Sequence, residues 1–152
     1  MDKATLSVSL LALAAAGVLV VMAIPAKGDS LPIGSTGRKL SFTDLLVLAQ
    51  NAGFSGNDAV TAAAIALAES SGDPMAYNPE IAAGAPQGQG SFGLWQIYLH
   101  MHLEFFNHNL YDPATNAEAA FKVFEQAGNS FSPWSTFNSQ AYLRNVPTEF
   151  SV

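Results

Sequence analysis

The residue in this chain whose type and place most suggest chemistry is Glu69, within "AIALAESSGDPMAYN". It is the one charge in the run of small, mostly apolar residues that begins at Ala59. A carboxyl at the end of a greasy helix meets two effects that act in the same direction. Burial disfavours its charged form, and the negative end of the helix dipole repels a carboxylate. Both raise its pKa, and a carboxyl protonated near neutral pH is what a general acid requires. The plainer alternative is a Glu that turns to solvent at a frayed helix end.

Other reactive types point elsewhere or nowhere. His100 and His102 form His-x-His with His108 beyond, but no His-Glu-x-x-His accompanies them, and a helix would turn the first two about 200° apart. They read as surface or cleft-edge histidines, so no metal site and no cofactor is expected. Ser70 and Ser71 have no neighbouring base and do not read as nucleophiles. "GAPQGQGSFG" lacks the Gly-Lys-Ser/Thr of a phosphate loop. The chain has no cysteine, which excludes disulfides and thiolate catalysis. Its net charge of −6 leaves no basic patch, so no nucleic-acid partner is expected.

The elements that must position Glu69 can be read from caps and breakers. The 152 residues are enough for one domain with a core. "SFTDLLVLAQNAG" (41–53) has Ser41 at an N-cap, Asp44 three residues on and Gly53 as a stop. "NDAVTAAAIALAESSG" starts at Asn57 or Asp58, stops at Gly72 and is apolar on nearly every face, so it reads as a buried helix. Residues 73–90 are dense in Pro, Gly and Ala and read as a long functional loop. "SFGLWQIYLHMHLEFF" reads as a turn followed by a short helix. "DPATNAEAAFKVFEQAG" is a marked helix with Asp112 as N-cap, Pro113 at the first position and Gly128 at the end. Ala117, Ala120, Phe121 and Phe124 share one of its faces. The Phe105-Phe106 pair, Phe121 and Phe124 read as core, while Trp134 is open between cleft and core. A last short helix is expected over Ser135–Asn145, and no hairpin is expected, because no alternating run is joined by a two-residue turn.

Charged residues are only 12% of the chain, against a usual ~25%, partly because none occurs from residue 4 to 26. As a helix that run would reach about 34 Å, enough for a hydrocarbon core of ~30 Å, with Lys3 and Lys27 at its two ends. An uncleaved anchor is expected; a signal peptide cut at Ala26 is the alternative. Residues 1–27 are then the transmembrane anchor, 28–40 a linker and 41–152 the domain. Lys27, Arg38 and Lys39 would hold the domain in the cytoplasm by the positive-inside rule, unless the membrane is that of a virion, whose orientation is set by assembly.

Three stretches in order carry a family resemblance over about residues 41–143. "ALAESSGDPMAYN" is similar to a helix end bearing a catalytic Glu followed by Ser and Gly. "SFGLWQI" is similar to a Ser-x-Gly-Leu-x-Gln motif. "LYDPATNAEAAFKVFEQAGNSFSPWSTF" is similar to a segment in which an Asp-Pro-x-x-Asn helix precedes Gly and Pro-Trp-Ser. Together they resemble the lysozyme-like superfamily of soluble-type lytic transglycosylases and goose-type lysozymes.

The resemblance implies an all-α, lysozyme-like helical domain, here preceded by one N-terminal transmembrane helix. It implies that Glu69 is the catalytic acid and then base, that Ser91 lies near the Glu69 carboxyl, that Gln96 lines the sugar cleft and that Gly93 permits close backbone approach. The residue types agree with a saccharide cleft. Gln96, Ser91 and Asn78 are amide and hydroxyl hydrogen-bonders, and Trp95 and Tyr77 could form an aromatic wall. A two-carboxylate scheme asks for a partner acid. Of Asp73, Glu80, Glu104 and Asp112, Glu80 in the long loop is the one worth testing. Lytic transglycosylases need none, because the muramoyl N-acetyl group assists and the sugar's 6-hydroxyl attacks. Phe137 stands where related segments often carry a Tyr reaching the catalytic Glu, with Tyr142 as a possible substitute.

The expected activity is cleavage of the β-1,4 bond between N-acetylmuramic acid and N-acetylglucosamine of peptidoglycan, for local wall penetration, as in phage entry. The expected partners are glycan strands, a membrane through residues 4–26, and other virion or envelope proteins. The expected location is a single-pass protein of a virion membrane or bacterial envelope. The rivals are a hydrolase of the same bond and a non-catalytic glycan-binding structural protein.

Overall fold

Two of the helices begin where the sequence supplies caps. In the computed structural model, which describes residues 38–150, Ser41 opens α1 (Phe42–Ala52) with a full capping box. Its hydroxyl accepts the Asp44 N–H at 3.2 Å, and the Asp44 carboxylate accepts the Ser41 N–H at 2.9 Å. α3 (Pro113–Gln126) opens as expected on Asp112, which accepts the Thr115 N–H at 2.9 Å, with Pro113 at the first helical position. All described residues belong to one unit, Thr36–Val152.

α2 (Gly56–Ser70) is the central element. Ala59, Ala62, Ala63, Ala64, Ile65 and Ala66 are fully buried, so small side chains surround it on most faces and neighbours approach closely. α1, α4 (Ser135–Asn138) and the 3₁₀ turn Ala141–Asn145 pack on it, and α1 also packs on α3. Beyond α1 the core continues as a phenylalanine cluster. Phe54 meets Phe121 edge-on at 5.0 Å and Phe124 at 5.2 Å, and Phe124 meets Phe131 at 4.6 Å.

The expectation of an all-α domain with one transmembrane helix is corrected in two ways. First, the domain is mostly helical but holds a small antiparallel sheet of β1 (Tyr77–Asn78), β2 (Ser91–Phe92) and β3 (Ile97–Tyr98), in that order. Tyr77 pairs with Phe92, Asn78 with Ser91, Ser91 with Tyr98 and Phe92 with Ile97. The stretch expected to turn once and run as a helix is therefore a hairpin followed by a 3₁₀ turn, Leu103–Phe105. Second, no helix among the described residues is long and apolar enough to cross a membrane. The segment 4–26 on which the anchor was placed lies outside the described residues. The expectation of a single-pass membrane protein of a virion or envelope therefore finds no support among the described residues.

The hairpin turn 93–96 is held from a distance. Gly93 has φ 72, and a Cβ there would meet the Leu110 carbonyl at 2.3 Å and Asn116 Nδ2 at 2.5 Å, so only glycine fits. Asn116, fully buried on α3, accepts the Trp95 N–H at 2.9 Å and donates to the carbonyls of Phe92 and Leu110, both at 2.9 Å. The last helix is shorter than expected. α4 stops at Asn138, and Gln140 at φ 59 separates it from the 3₁₀ turn.

Candidate active site

α2 ends just past Glu69. Ser70 is buried, donates to the Ala66 carbonyl at 2.8 Å and accepts the Gly72 N–H at 3.2 Å. Its hydroxyl is thus a capping group. Ser71 then takes the left-handed conformation and turns the chain away. Glu69 is left half-buried in the last helical turn.

The Glu69 carboxyl has a partner that nothing local in the sequence announces. Thr136 Oγ1, on α4, donates to Glu69 Oε1 at 2.6 Å. Burial pushes the Glu69 carboxyl above its ordinary value, the Thr136 hydroxyl and backbone amide pull it down, and the charge of Glu80 pushes it up again. The net effect is upward, so burial outweighs the donors. Such a group holds its proton to higher pH than an exposed glutamate and can deliver it to a leaving oxygen.

α4 is too short to hold its own place, and two tryptophans fix its start. Trp134 Nε1 donates to the Trp95 carbonyl at 2.8 Å, and Trp95 Nε1 donates to the Ala62 carbonyl of α2 at 2.9 Å. Both indoles are buried, Trp95 completely. Trp95 is therefore core, and its expected place on a cleft wall is corrected: an indole with no exposed surface cannot stack on a ligand. Trp134 is core as well. Phe137 stacks on Tyr142 at 5.3 Å, and the contact to Glu69 comes instead from Thr136.

Ser91 also has a different partner from the one expected. It is buried, and its hydroxyl donates at 2.8 Å to Glu80 Oε1. Asn78 Nδ2 donates to the same oxygen at 2.9 Å. Gln96, half-buried at φ 46, directs its amide nitrogen to the carbonyls of Ala76 (3.2 Å) and Gly93 (3.0 Å). It ties the loop after α2 to the hairpin turn. Tyr77 is 43% exposed and Asn78 is exposed, so both are available to a ligand. Tyr77 continues into Phe92 (4.8 Å) and Tyr111 (5.5 Å from Phe92), two aromatic neighbours that the sequence did not single out.

Among the candidate partner acids, Asp112 is occupied as a cap and Asp73 accepts the Met75 N–H at 2.9 Å. Glu104 is engaged by Gln126 and His102. Glu80 alone acts on Glu69. The histidines have separate partners: His100 bonds Gln89 at 2.9 Å, His102 faces Glu104 and His108 packs edge-on against Phe105.

A family model described as a lysozyme-like domain matches residues 46–136, a span that contains Glu69, Glu80, Ser91, Gln96, Asn116 and Thr136. No curated protein and no solved structure matches the chain.

Proposed function

The chain belongs to the lysozyme-like domain family, and from that premise we propose that it cleaves the β-1,4 bond between N-acetylmuramic acid and N-acetylglucosamine in peptidoglycan strands, as a lytic transglycosylase. The observation that carries this reading is Glu69: half-buried, raised in pKa by burial and hydrogen-bonded to Thr136 at the end of α2. Glu69 donates its proton to the leaving glycosidic oxygen as that oxygen parts from the anomeric carbon. The resulting carboxylate then takes the proton of the sugar's own 6-hydroxyl as it closes on that carbon, leaving a 1,6-anhydro end. Tyr77 and Asn78 offer a platform and a hydrogen-bonder to the glycan. Gln96, Ser91 and the buried Trp95 hold the loop after α2, the Glu80 side chain and the start of α4 through their hydrogen bonds.

A second reading has its own support. The charge of Glu80 acts on Glu69, and paired carboxylates also serve hydrolysis, in which water replaces the 6-hydroxyl. Incubating the full chain and its Glu69→Gln variant with purified peptidoglycan, and reading the products by mass spectrometry, separates the readings. Anhydro ends support transglycosylation, and reducing ends support hydrolysis. Equal cutting by both proteins rejects Glu69 as the acid, and glycan binding without cutting by either rejects catalysis.

A further inference from the structure

The edge strand β3, the turn that follows it, α3 and the start of α4 meet around a cavity of about 50 Å³. Its apolar walls are Ile97, Val123, Pro133 and Trp134. The Trp134 N–H is already engaged by the Trp95 carbonyl, so that indole offers only carbon surface. Gln96, Tyr98 and His102 are the polar side chains of the cavity.

Each of these three has one uncommitted atom. The Gln96 amide nitrogen donates to the carbonyls of Ala76 and Gly93, at 3.2 and 3.0 Å. Only the nitrogen can meet two carbonyls, so Oε1 is the end left over. His102 Nδ1 lies 3.5 Å from Glu104 Oε1. The backbone amide of Glu104, with Gln126 and His102, holds that carboxyl below its ordinary value against burial, so it is ionised at neutral pH. An ionised acceptor beside Nδ1 keeps the imidazole hydrogen there and leaves Nε2 a bare acceptor. Among the described residues nothing bonds Gln96 Oε1, Tyr98 Oη or His102 Nε2, and no buried side-chain nitrogen or oxygen lacks a partner. All three atoms are therefore open to solvent and to a ligand.

The cavity thus presents acceptors. Its other side-chain N–H groups are engaged, the Tyr98 hydroxyl can accept, and no Lys or Arg lines it. An anion finds no charge partner there. A primary ammonium carries three donors and no acceptor, which complements three acceptors. The net charge of −6 favours the approach of a cation. Since a water occupies about 30 Å³ in the liquid, the space takes a group of a few heavy atoms, such as an ammonium with its last methylenes against the apolar walls. We propose that this cavity binds a primary alkylammonium through Gln96, Tyr98 and His102, and that it takes the side-chain amine of a diamino acid in a peptidoglycan stem. The second half rests on the glycan-cleaving reading above. That amine is free only where strands are not cross-linked, so the cavity selects uncross-linked strands. The amine of a de-acetylated sugar has the same head but sits directly on a ring, with no methylenes for the walls.

The test titrates the full chain with Nα-acetyllysine amide, its Nε-acetylated form and glucosamine, following the Trp134 indole N–H by NMR. The expected result is saturable binding of the first, none of the second and about tenfold weaker binding of the third. Tyr98→Phe and His102→Phe each delete one acceptor and keep a ring. Each is expected to weaken binding of the amine about tenfold, the worth of one hydrogen bond to a charged group. On peptidoglycan, acetylating the free stem amines is expected to raise KM about fivefold with kcat unchanged, and the double variant is expected to show one KM on both preparations. Equal binding of the two lysine forms, or wild-type affinity in both variants, overturns the site. Tighter binding of glucosamine, or one wild-type KM on both preparations, overturns the stem as the source of the amine. Selective amine binding by a wild-type chain that cuts no peptidoglycan instead overturns the glycan-cleaving reading and leaves the cavity an amine site.

Discussion

Thr136 Oγ1 donates to Glu69 Oε1 at 2.6 Å across 67 positions of sequence. The contact depends on a relay of buried indoles. Trp95 is anchored to α2 through the Ala62 carbonyl, and its own carbonyl receives Trp134, the residue from which α4 starts. The same Trp95 is held by Asn116 of α3 through its backbone N–H. One residue of the hairpin turn thus fixes the donor of the candidate acid relative to two helices. That is why the "SFGLWQI" stretch bears on Glu69 although Ser91 does not bond it.

The Thr136 hydroxyl favours the ionised form of Glu69, so its removal has a direction. Thr136→Val keeps the shape and deletes the donor. The Glu69 pKa, already raised, is expected to rise further, and the alkaline limb of the pH–rate profile moves to higher pH. The peak rate is expected to fall about tenfold, since a hydrogen bond orienting the carboxyl is lost. A limb that moves to lower pH would show that Thr136 does not act on Glu69 as a donor.

Glu69 is also expected to cost stability at neutral pH. Its folded pKa lies above the ordinary 4.5. Below about that pH both folded and unfolded chains carry the proton, and the group contributes no difference. As pH rises, the unfolded chain ionises first and is favoured, so stability falls from about 4.5 until the folded group has ionised too. Glu69→Gln carries no such proton. Calorimetry is expected to give it a higher Tm than the wild type at pH 7 and a similar Tm near pH 4. Equal Tm values at both pH values would contradict the burial of the carboxyl.

What the sequence made legible was local. Ser41 with Asp44, and Asp112 with Pro113, announce α1 and α3 because each cap lies within a few residues of its helix. Glu69 stands out because a carboxylate in an apolar run has few structural reasons to be there. The hairpin stayed hidden because strands of two residues are too short to show alternation, and the turn between them is closed by Asn116 from another helix. Trp95 was misplaced for a related reason: residue type suggested a sugar platform, whereas the space beside the alanine-rich α2 takes up its bulk. Thr136 and the pairing of Ser91 with Glu80 join segments whose meeting no periodicity encodes.

Asn116 makes three bonds to backbone groups around the hairpin, all from a fully buried position. Asn116→Ala leaves the Trp95 N–H and two carbonyls without these partners. The expected loss is about 3 kcal/mol in urea denaturation, in the range for a broken buried hydrogen-bond network. Asn116→Asp keeps the acceptor for Trp95 but turns a carboxylate oxygen toward two carbonyls, so it is not expected to rescue. Wild-type stability in either variant would mean the hairpin is held by something else.

Tyr77 and Trp95 separate ligand contact from core packing. Tyr77 is exposed beside Phe92, and Trp95 is fully enclosed between α2 and the start of α4. If Tyr77 stacks on the glycan, Tyr77→Ala should raise KM on peptidoglycan by about three- to tenfold, the worth of one aromatic contact, while the melting temperature barely moves. Trp95→Phe should do the reverse. It shrinks a buried side chain and removes the donor to the Ala62 carbonyl, for an expected loss of about 2 kcal/mol, with KM unchanged in the fraction that stays folded. Steady-state kinetics and thermal melts on the two variants give four numbers. A raised KM in Trp95→Phe at unchanged stability would return that indole to the cleft, and an unchanged KM in Tyr77→Ala would move the glycan platform away from β1.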